Sequence, residues 1–168
     1  HHSIALGQER TLEQDPVFAF RIIVDVANKG LSPAINDPTT AVLAIDQIHH
    51  LLRDVGGRHL DEGVVRDASG AVRLVYRTPD WEDYVHLAVT EIRQFGESSI
   101  QIARRLRAML EDLIKTLPKE RVTLRARELG ILQRMASHAF QVPEDRALAE
   151  VSDLQGVGSG QRRKPGTA

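Results

Sequence analysis

Ser32-Pro33-Ala34-Ile35-Asn36-Asp37-Pro38-Thr39-Thr40-Ala41 is the stretch from which the rest of the chain can be read. It separates two apolar-periodic segments. An Asp-Pro step followed by two threonines and an aliphatic run reads as a helix start. Asp37 is then the N-cap, Pro38 the first helical residue, and Thr39 and Thr40 lie in the first turn. Asp15-Pro16 repeats the pattern upstream, behind a capping box at Thr11-Leu12-Glu13-Gln14. The two starts bracket one helix, whose apolar face is Phe18, Ile22 and Val26, with Ile23 and Ala27 beside it. Asn28-Lys29-Gly30 reads as its end, with Gly30 as a left-handed cap.

The second helix is expected from Pro38 to about Asp54, with Ala41, Ile45, Ile48 and Leu52 on one face and Gly56-Gly57 after it. Residues 58–79 change character. Two β-prone runs, 63–66 and 71–76, flank Asp67-Ala68-Ser69-Gly70 and predict a hairpin over about 60–78. Thr78-Pro79-Asp80 opens a third helix with Trp81, Val85, Ala88 and Ile92 inward, stopped at Gly96. A fourth starts at Ser98 or Ser99 and runs to about Leu117, facing inward with Ile102, Leu106, Met109 and Leu113. A fifth, from about Lys119 to Ala139, places Leu124, Leu132, Met135 and Ala139 inward. A short sixth is expected over Glu144 to Leu154.

These readings give a mainly α fold: five or six helices packed as an irregular bundle, with a small β-hairpin inserted after the second long helix. The organisation expected is a leading segment over 1–14, partly tag or linker, a single α-rich domain over 15–154, and a flexible tail over 155–168. The chain begins His1-His2-Ser3, as a tag remnant or a piece of a longer protein would, so His1 and His2 are left out of any metal argument.

Composition narrows the function classes. Of 168 residues, 42% are hydrophobic but only 4% aromatic, so the core must be built from Leu, Ile, Val and Ala. Lysine and arginine number 22 against 23 acidic residues, which argues against a dedicated nucleic-acid binder. With no cysteine there is neither a disulfide framework nor a thiolate metal site. No run approaches the roughly 18 apolar residues of a membrane span.

Five arrangements in the sequence bear on chemistry. Glu9, Glu13, Asp15, Asp25, Asp37 and Asp46 form an acid-rich group with Arg10 and Arg21 among them, but caps and ion pairs such as Arg21–Asp25 account for it. His49 and His50 point about 100° apart on a helix, and no histidine shows zinc-helix spacing, so surface or hydrogen-bonded histidine is the simpler reading. The Asp37 helix start offers amides and the Thr39 and Thr40 hydroxyls to an anion, yet Asp37 already occupies that end. No nucleophile elbow or phosphate loop is present. Arg104, Arg105, Arg107, Arg121, Arg125 and Arg127, interrupted by acids, read as a solvated face. No catalytic residue, metal site or cofactor is therefore assigned. The candidate ligand-binding group is Arg10, Asp15, Asp25, Asn36, Asp37, Thr39 and Thr40.

One resemblance covers about residues 7 to 46. Glu9-Arg10-Thr11, Gln14-Asp15, Val24-Asp25-Val26-Ala27 and Leu31 to Pro38 resemble the signature of a bacterial predicted membrane protein family, the domain of unknown function 2254. Ala34 stands where that family usually has Gly, and Lys29-Gly30 before Leu31 also departs from it. The resemblance implies a longer parent whose N-terminal half carries transmembrane helices, followed by this soluble C-terminal region. It implies no activity. The expectations are a regulatory or assembly domain, partnered by the parent's transmembrane region and by copies of itself, held at the membrane on the cytoplasmic side. A ligand- or ion-sensing domain around Asn36-Asp37-Pro38-Thr39 is the alternative, and a metal-dependent hydrolase-like enzyme the second.

Overall fold

A computed structural model describes residues 15–153. The leading segment, Arg10 and the tail from 154 lie outside the described residues. Six helices and one hairpin follow in order: α1 Pro16–Leu31, α2 Pro38–Gly56, β1 Val64–Arg66, β2 Val72–Val75, α3 Trp81–Phe95, α4 Ile100–Thr116, α5 Val122–Ala139 and α6 Pro143–Ala149. A 3-10 turn, Lys119–Arg121, leads into α5. The mainly helical fold with a hairpin after the second helix is as the sequence predicts.

Local chemistry sets the helix boundaries. Asp15 caps α1 by accepting from the Val17 and Phe18 amides at 3.0 and 3.3 Å. Asp80 and Asp83 form a reciprocal capping box on α3, and Ser99 caps α4. Gly30 departs from expectation. It is not a left-handed cap; α1 continues to Leu31 and Ser32 is the C-cap. A side chain at Gly30 would place its Cβ 3.0 Å from the Asp37 carbonyl oxygen, so this glycine serves the close approach of the incoming α2.

One apolar core joins the helices. Phe20, Val24, Ile45, Ile48, Leu52, Trp81, Val85, Ile92, Leu106, Met109 and Leu113 are all buried within it. α1 packs on α2 and α3, while α4 packs on α2 and α5. Each fully buried aliphatic side chain of this kind is worth roughly 1.5–3 kcal/mol. A second, smaller cluster of Ala103, Ala136, Phe140 and Ala149 fastens α6 against α4 and α5.

Three helices differ from the sequence reading. In α1 the buried face is Phe20, Val24, Ala27 and Gly30, while Ile22 and Val26 of the predicted face are exposed. The last helix ends at Ala149 rather than Leu154. In α5 the buried stripe is Arg125, Glu128, Leu132 and Ala136, while Ala139 is exposed. A periodicity counted on apolar residues skipped the two charged members of that stripe. The solvated arginine face is corrected with it, because Arg105, Arg107 and Arg125 are buried.

The hairpin is antiparallel, with Val64 opposite Val75, Val65 opposite Leu74, and a bulge between Val65 and Arg66. It stands on a polar root. The Asp61 carboxylate accepts from the Gly63 amide at 2.9 Å and from the Tyr76 hydroxyl at 2.6 Å, and the Thr78 hydroxyl donates to the Asp61 carbonyl at 2.6 Å. Those bonds, the Tyr76 hydroxyl foremost, hold the Asp61 carboxyl below its ordinary pKa. Gly63 has φ +69, and a Cβ there would fall 1.9 Å from the Tyr76 carbonyl oxygen, so only glycine fits.

Candidate functional site

The corner between α1 and α2 is built almost wholly from its own hydrogen bonds. The Ser32 hydroxyl donates to the Lys29 carbonyl at 2.8 Å, and the Ile35 and Asn36 amides donate to the Ser32 carbonyl at 3.0 and 2.8 Å. Asn36 takes a left-handed φ of 48°, which asparagine tolerates better than most residues. That reversal brings the Asp37 amide onto the Gly30 carbonyl at 2.7 Å. The Asp37 carboxylate then accepts from the Thr40 amide at 3.1 Å and the Thr40 hydroxyl at 2.5 Å. These two bonds, the hydroxyl's first, hold its pKa below the usual carboxylate range. Pro38 supplies the fixed φ of the first helical residue.

The candidate ligand residues are placed as follows. Asp37 and Thr40 meet in the cap, with exposed Asn36 and Thr39 beside them. Asp15 caps the opposite end of α1, about 24 Å away along a helix of that length. Asp25 lies exposed on the third turn, paired with Arg21 at 2.6 Å. The corner residues are thus brought together, and Asp15 and Asp25 are not brought to them. Among the described residues no group of three His, Asp or Glu side chains is arranged to hold a metal ion.

The concentrated polar chemistry lies between α2 and α4. Arg105 pairs with Asp46, both nearly buried. The buried His49 ring is bonded through Nε2 to Asp112 Oδ2 at 2.8 Å, and Arg53 approaches the same oxygen at 3.7 Å. The pairs ascend together along both helices, so α2 and α4 run in the same direction. Burial is the largest influence on His49 and pushes its pKa below 6.5; the bond to Asp112 opposes it, while the charges of Arg105 and Arg53 reinforce it. His49 Nδ1 is buried with no hydrogen-bond partner. The imidazole is therefore neutral at pH 7, with the Nε2 proton donated to the carboxylate.

A parallel junction holds α1 to α3. Arg21 grips Glu91 with two nitrogens at 2.6 and 3.0 Å, and the Asn28 amide adds a bond at 2.8 Å. Arg21 foremost holds the Glu91 carboxyl below its usual pKa. Beside α3, an open cleft of about 410 Å³ is lined by Asp80, Trp81, Glu82, Glu120, Arg121 and Arg127 among others. Opposed charges largely cancel there, as in the Arg127–Glu82 pair at 3.6 Å. Arg121 and Arg125 lie 5.4 and 5.7 Å from the Trp81 ring centre. Arg125 is fully buried, and none of its guanidinium nitrogens has a hydrogen-bond partner.

Sequence reasoning did not single out Asp112, Glu91 or Glu128, and it read Arg105 and Arg125 as solvated. A signal was present: Arg105 follows Ile102 by three and precedes Met109 by four, and His49 follows Ile45 by four and precedes Leu52 by three. A polar residue on an apolar stripe points to a buried partner.

Fold and site together define a helical module with a capped interhelix corner, charged seams between its helices and a projecting hairpin. The chain belongs to the family described as predicted membrane protein, domain of unknown function 2254, whose profile matches residues 1–112. It is similar to the uncharacterised proteins Rv1290c of Mycobacterium tuberculosis and Mb1321c of Mycobacterium bovis. Each is 30% identical over 147 residues, covering 86% of this chain. The chain spans 28% of the length of these relatives. No solved structure matches it significantly. Among the described residues no helix is long and apolar enough to cross a membrane.

Proposed function

We propose that this region is a non-enzymatic assembly or regulatory domain of a longer membrane protein, held at the membrane by a transmembrane region elsewhere in that parent and facing the cytoplasm. The observation that carries the reading is the hairpin. Val65, Val72, Leu74, Val75 and Tyr76 are exposed, and no side chain between 64 and 76 belongs to the helical core. A two-stranded hairpin is at best marginally stable on its own, and apolar side chains left in water on such an arm favour a partner surface. The family description and the greater length of the relatives supply the membrane part of the reading.

The polar groups support the same direction. A sensing pocket around Asn36-Asp37-Pro38-Thr39, or a metal-dependent hydrolase, needs side chains with bonding capacity to spare. In the corner that capacity is largely spent on the Gly30–Asp37 and Asp37–Thr40 bonds.

The test is made on the full-length membrane protein carrying this region, purified in detergent. Replacing residues 62–77 by a short Gly-Ser link is expected to reduce the mass of the assembly measured by light scattering, with the helical circular dichroism kept. Equal masses for the two proteins would overturn the reading.

A further inference from the structure

We infer that α1 packs antiparallel against α1 of a second copy of this chain, about a two-fold axis at Ile22. This rests on the assembly reading above, places a contact on a different element from the hairpin and names its partner. The inward face of α1 is Phe20, Val24 and Ala27, all buried. Its outward face is apolar as well. Phe18, Ile22 and Val26 follow at intervals of four and so form one stripe. Ile22 is 40% exposed and Val26 46%. Phe18 is half-buried, and among the described residues it belongs to neither apolar cluster. The exposed side chains of α4, by contrast, are Gln101, Lys115 and Thr116. A helix that is apolar on opposite faces is one that is covered on both.

Charge then selects the arrangement. Asp25 and Lys29 border the stripe and are exposed. Parallel packing about a two-fold sets Asp25 level with Asp25 and Lys29 level with Lys29. Antiparallel packing with Ile22 level with Val26 brings the two Asp25 residues within about 3 Å of each other along the helix axes. Antiparallel packing with Ile22 level with Phe18 leaves Val26 level with residue 14, beyond the start of the other α1. The axis at Ile22 avoids all three. Ile22 meets Ile22, Phe18 meets Val26 on both sides of the axis, and Lys29 comes level with Asp15 of the other copy. The basic end of each helix thus lies against the acidic start of the other. The two Asp25 residues stand about 9 Å apart along the axes. Each remains paired with its own Arg21 at 2.6 Å.

The chain has no cysteine, which makes single-cysteine variants clean probes. Helices packed about 8–10 Å apart bring directly facing Cα atoms to about 5 Å, within disulfide range. Residue 26 lies about 12 Å along the axis from its own copy, outside that range. The expected result is a dimer of the 168-residue chain by light scattering. Ile22→Cys should give near-complete disulfide dimer under mild oxidation, and Val26→Cys no more than background. Val26→Lys should convert the dimer to monomer with the helical circular dichroism kept, because this side chain stands outside the core. A strict monomer at high concentration overturns the inference. If a maleimide then labels Ile22→Cys in the chain but not in the full-length parent, the face belongs to another part of that parent. A dimer that survives Val26→Lys, or in which Val26→Cys cross-links as readily as Ile22→Cys, also overturns it. Each of these outcomes leaves the assembly reading to its own test on the hairpin. Conversely, specific Ile22→Cys cross-linking, with no mass change on hairpin deletion in the parent, upholds the α1 pairing and removes the hairpin's role.

Discussion

His49 makes stability depend on pH, and the upper limit of the effect can be worked out. The folded imidazole is buried, bonded to Asp112 at 2.8 Å, and holds its proton more weakly than the free side chain at 6.5. Lowering the pH therefore loads a proton onto the unfolded chain before the folded one. The stabilisation is present above 6.5 and is lost as pH falls toward the folded pKa. From pH 7.5 to 5.5 the loss is at most about 1.4 kcal/mol, the limit set by one proton over one pH unit. His49→Gln keeps a donor for Asp112 but cannot titrate. Urea unfolding at the two pH values should show the wild type losing up to about 1.4 kcal/mol more than the variant. Because the substitution removes only the imidazole, the difference between the two proteins belongs to it. Equal losses in the two proteins, or a histidine NMR titration placing His49 above 6.5, would refute the reasoning.

Three further outcomes are expected. Asp37→Ala removes the α2 cap and should cost about 0.5–2 kcal/mol in urea unfolding, with the m-value unchanged. Gly63→Ala cannot satisfy both φ +69 and the 1.9 Å approach to the Tyr76 carbonyl. It should abolish amide protection in β1 and β2 by hydrogen exchange while leaving α1–α4 protected, since the core contains no hairpin side chain. Arg125→Met removes a buried cation without a hydrogen-bond partner, which burial and nearby Arg121 already hold below its ordinary pKa. Against the loss of the Trp81 contact, about 1 kcal/mol, the relief of desolvation should leave stability unchanged or raised by about 1–2 kcal/mol; a drop beyond about 2 kcal/mol in thermal unfolding would contradict this.

Local rules made most of the fold legible. Asp15-Pro16 and Asp37-Pro38 are helix starts because each carries its cap and its fixed φ within two residues. The hairpin was readable because its turn chemistry and alternation are also local. Gly30 was misread because the rule applied to it was local while its cause was not. The sequence suggested a chain reversal at that glycine, whereas the reversal occurs at Asn36 and Gly30 serves a close approach between helices. The charged seams were hidden for the same reason. Asp46 and Arg105 are 59 residues apart, and no periodicity within one helix states which acid meets which base. Of the candidate site, the corner was legible as structure: Asp37 and Thr40 bond each other there, with Asn36 and Thr39 exposed beside them.

Those seams also explain how a core poor in aromatic residues keeps a single arrangement. Leu, Ile and Ala stripes can slide past one another by a turn at modest cost, because one aliphatic knob fits many holes. A slip of α4 by one turn, about 5.4 Å, toward the start of α2 would set Arg105 against Val42 and Asp112 against Ile45 in place of Asp46 and His49. Separating a buried charge from its partner costs about 3–5 kcal/mol, which is comparable to the whole stability of many domains. The matched spacing, seven residues from Arg105 to Asp112 and seven from Asp46 to Arg53, makes the penalty fall on both pairs at once. On this argument the pairs add little to the depth of the native state and much to its distinction from neighbouring registers. Replacing Asp46, Arg105, His49 and Asp112 together with aliphatic residues should therefore keep or raise the melting temperature while broadening the side-chain NMR spectrum. A spectrum as sharp as the wild type's would show that the apolar stripes fix the register unaided.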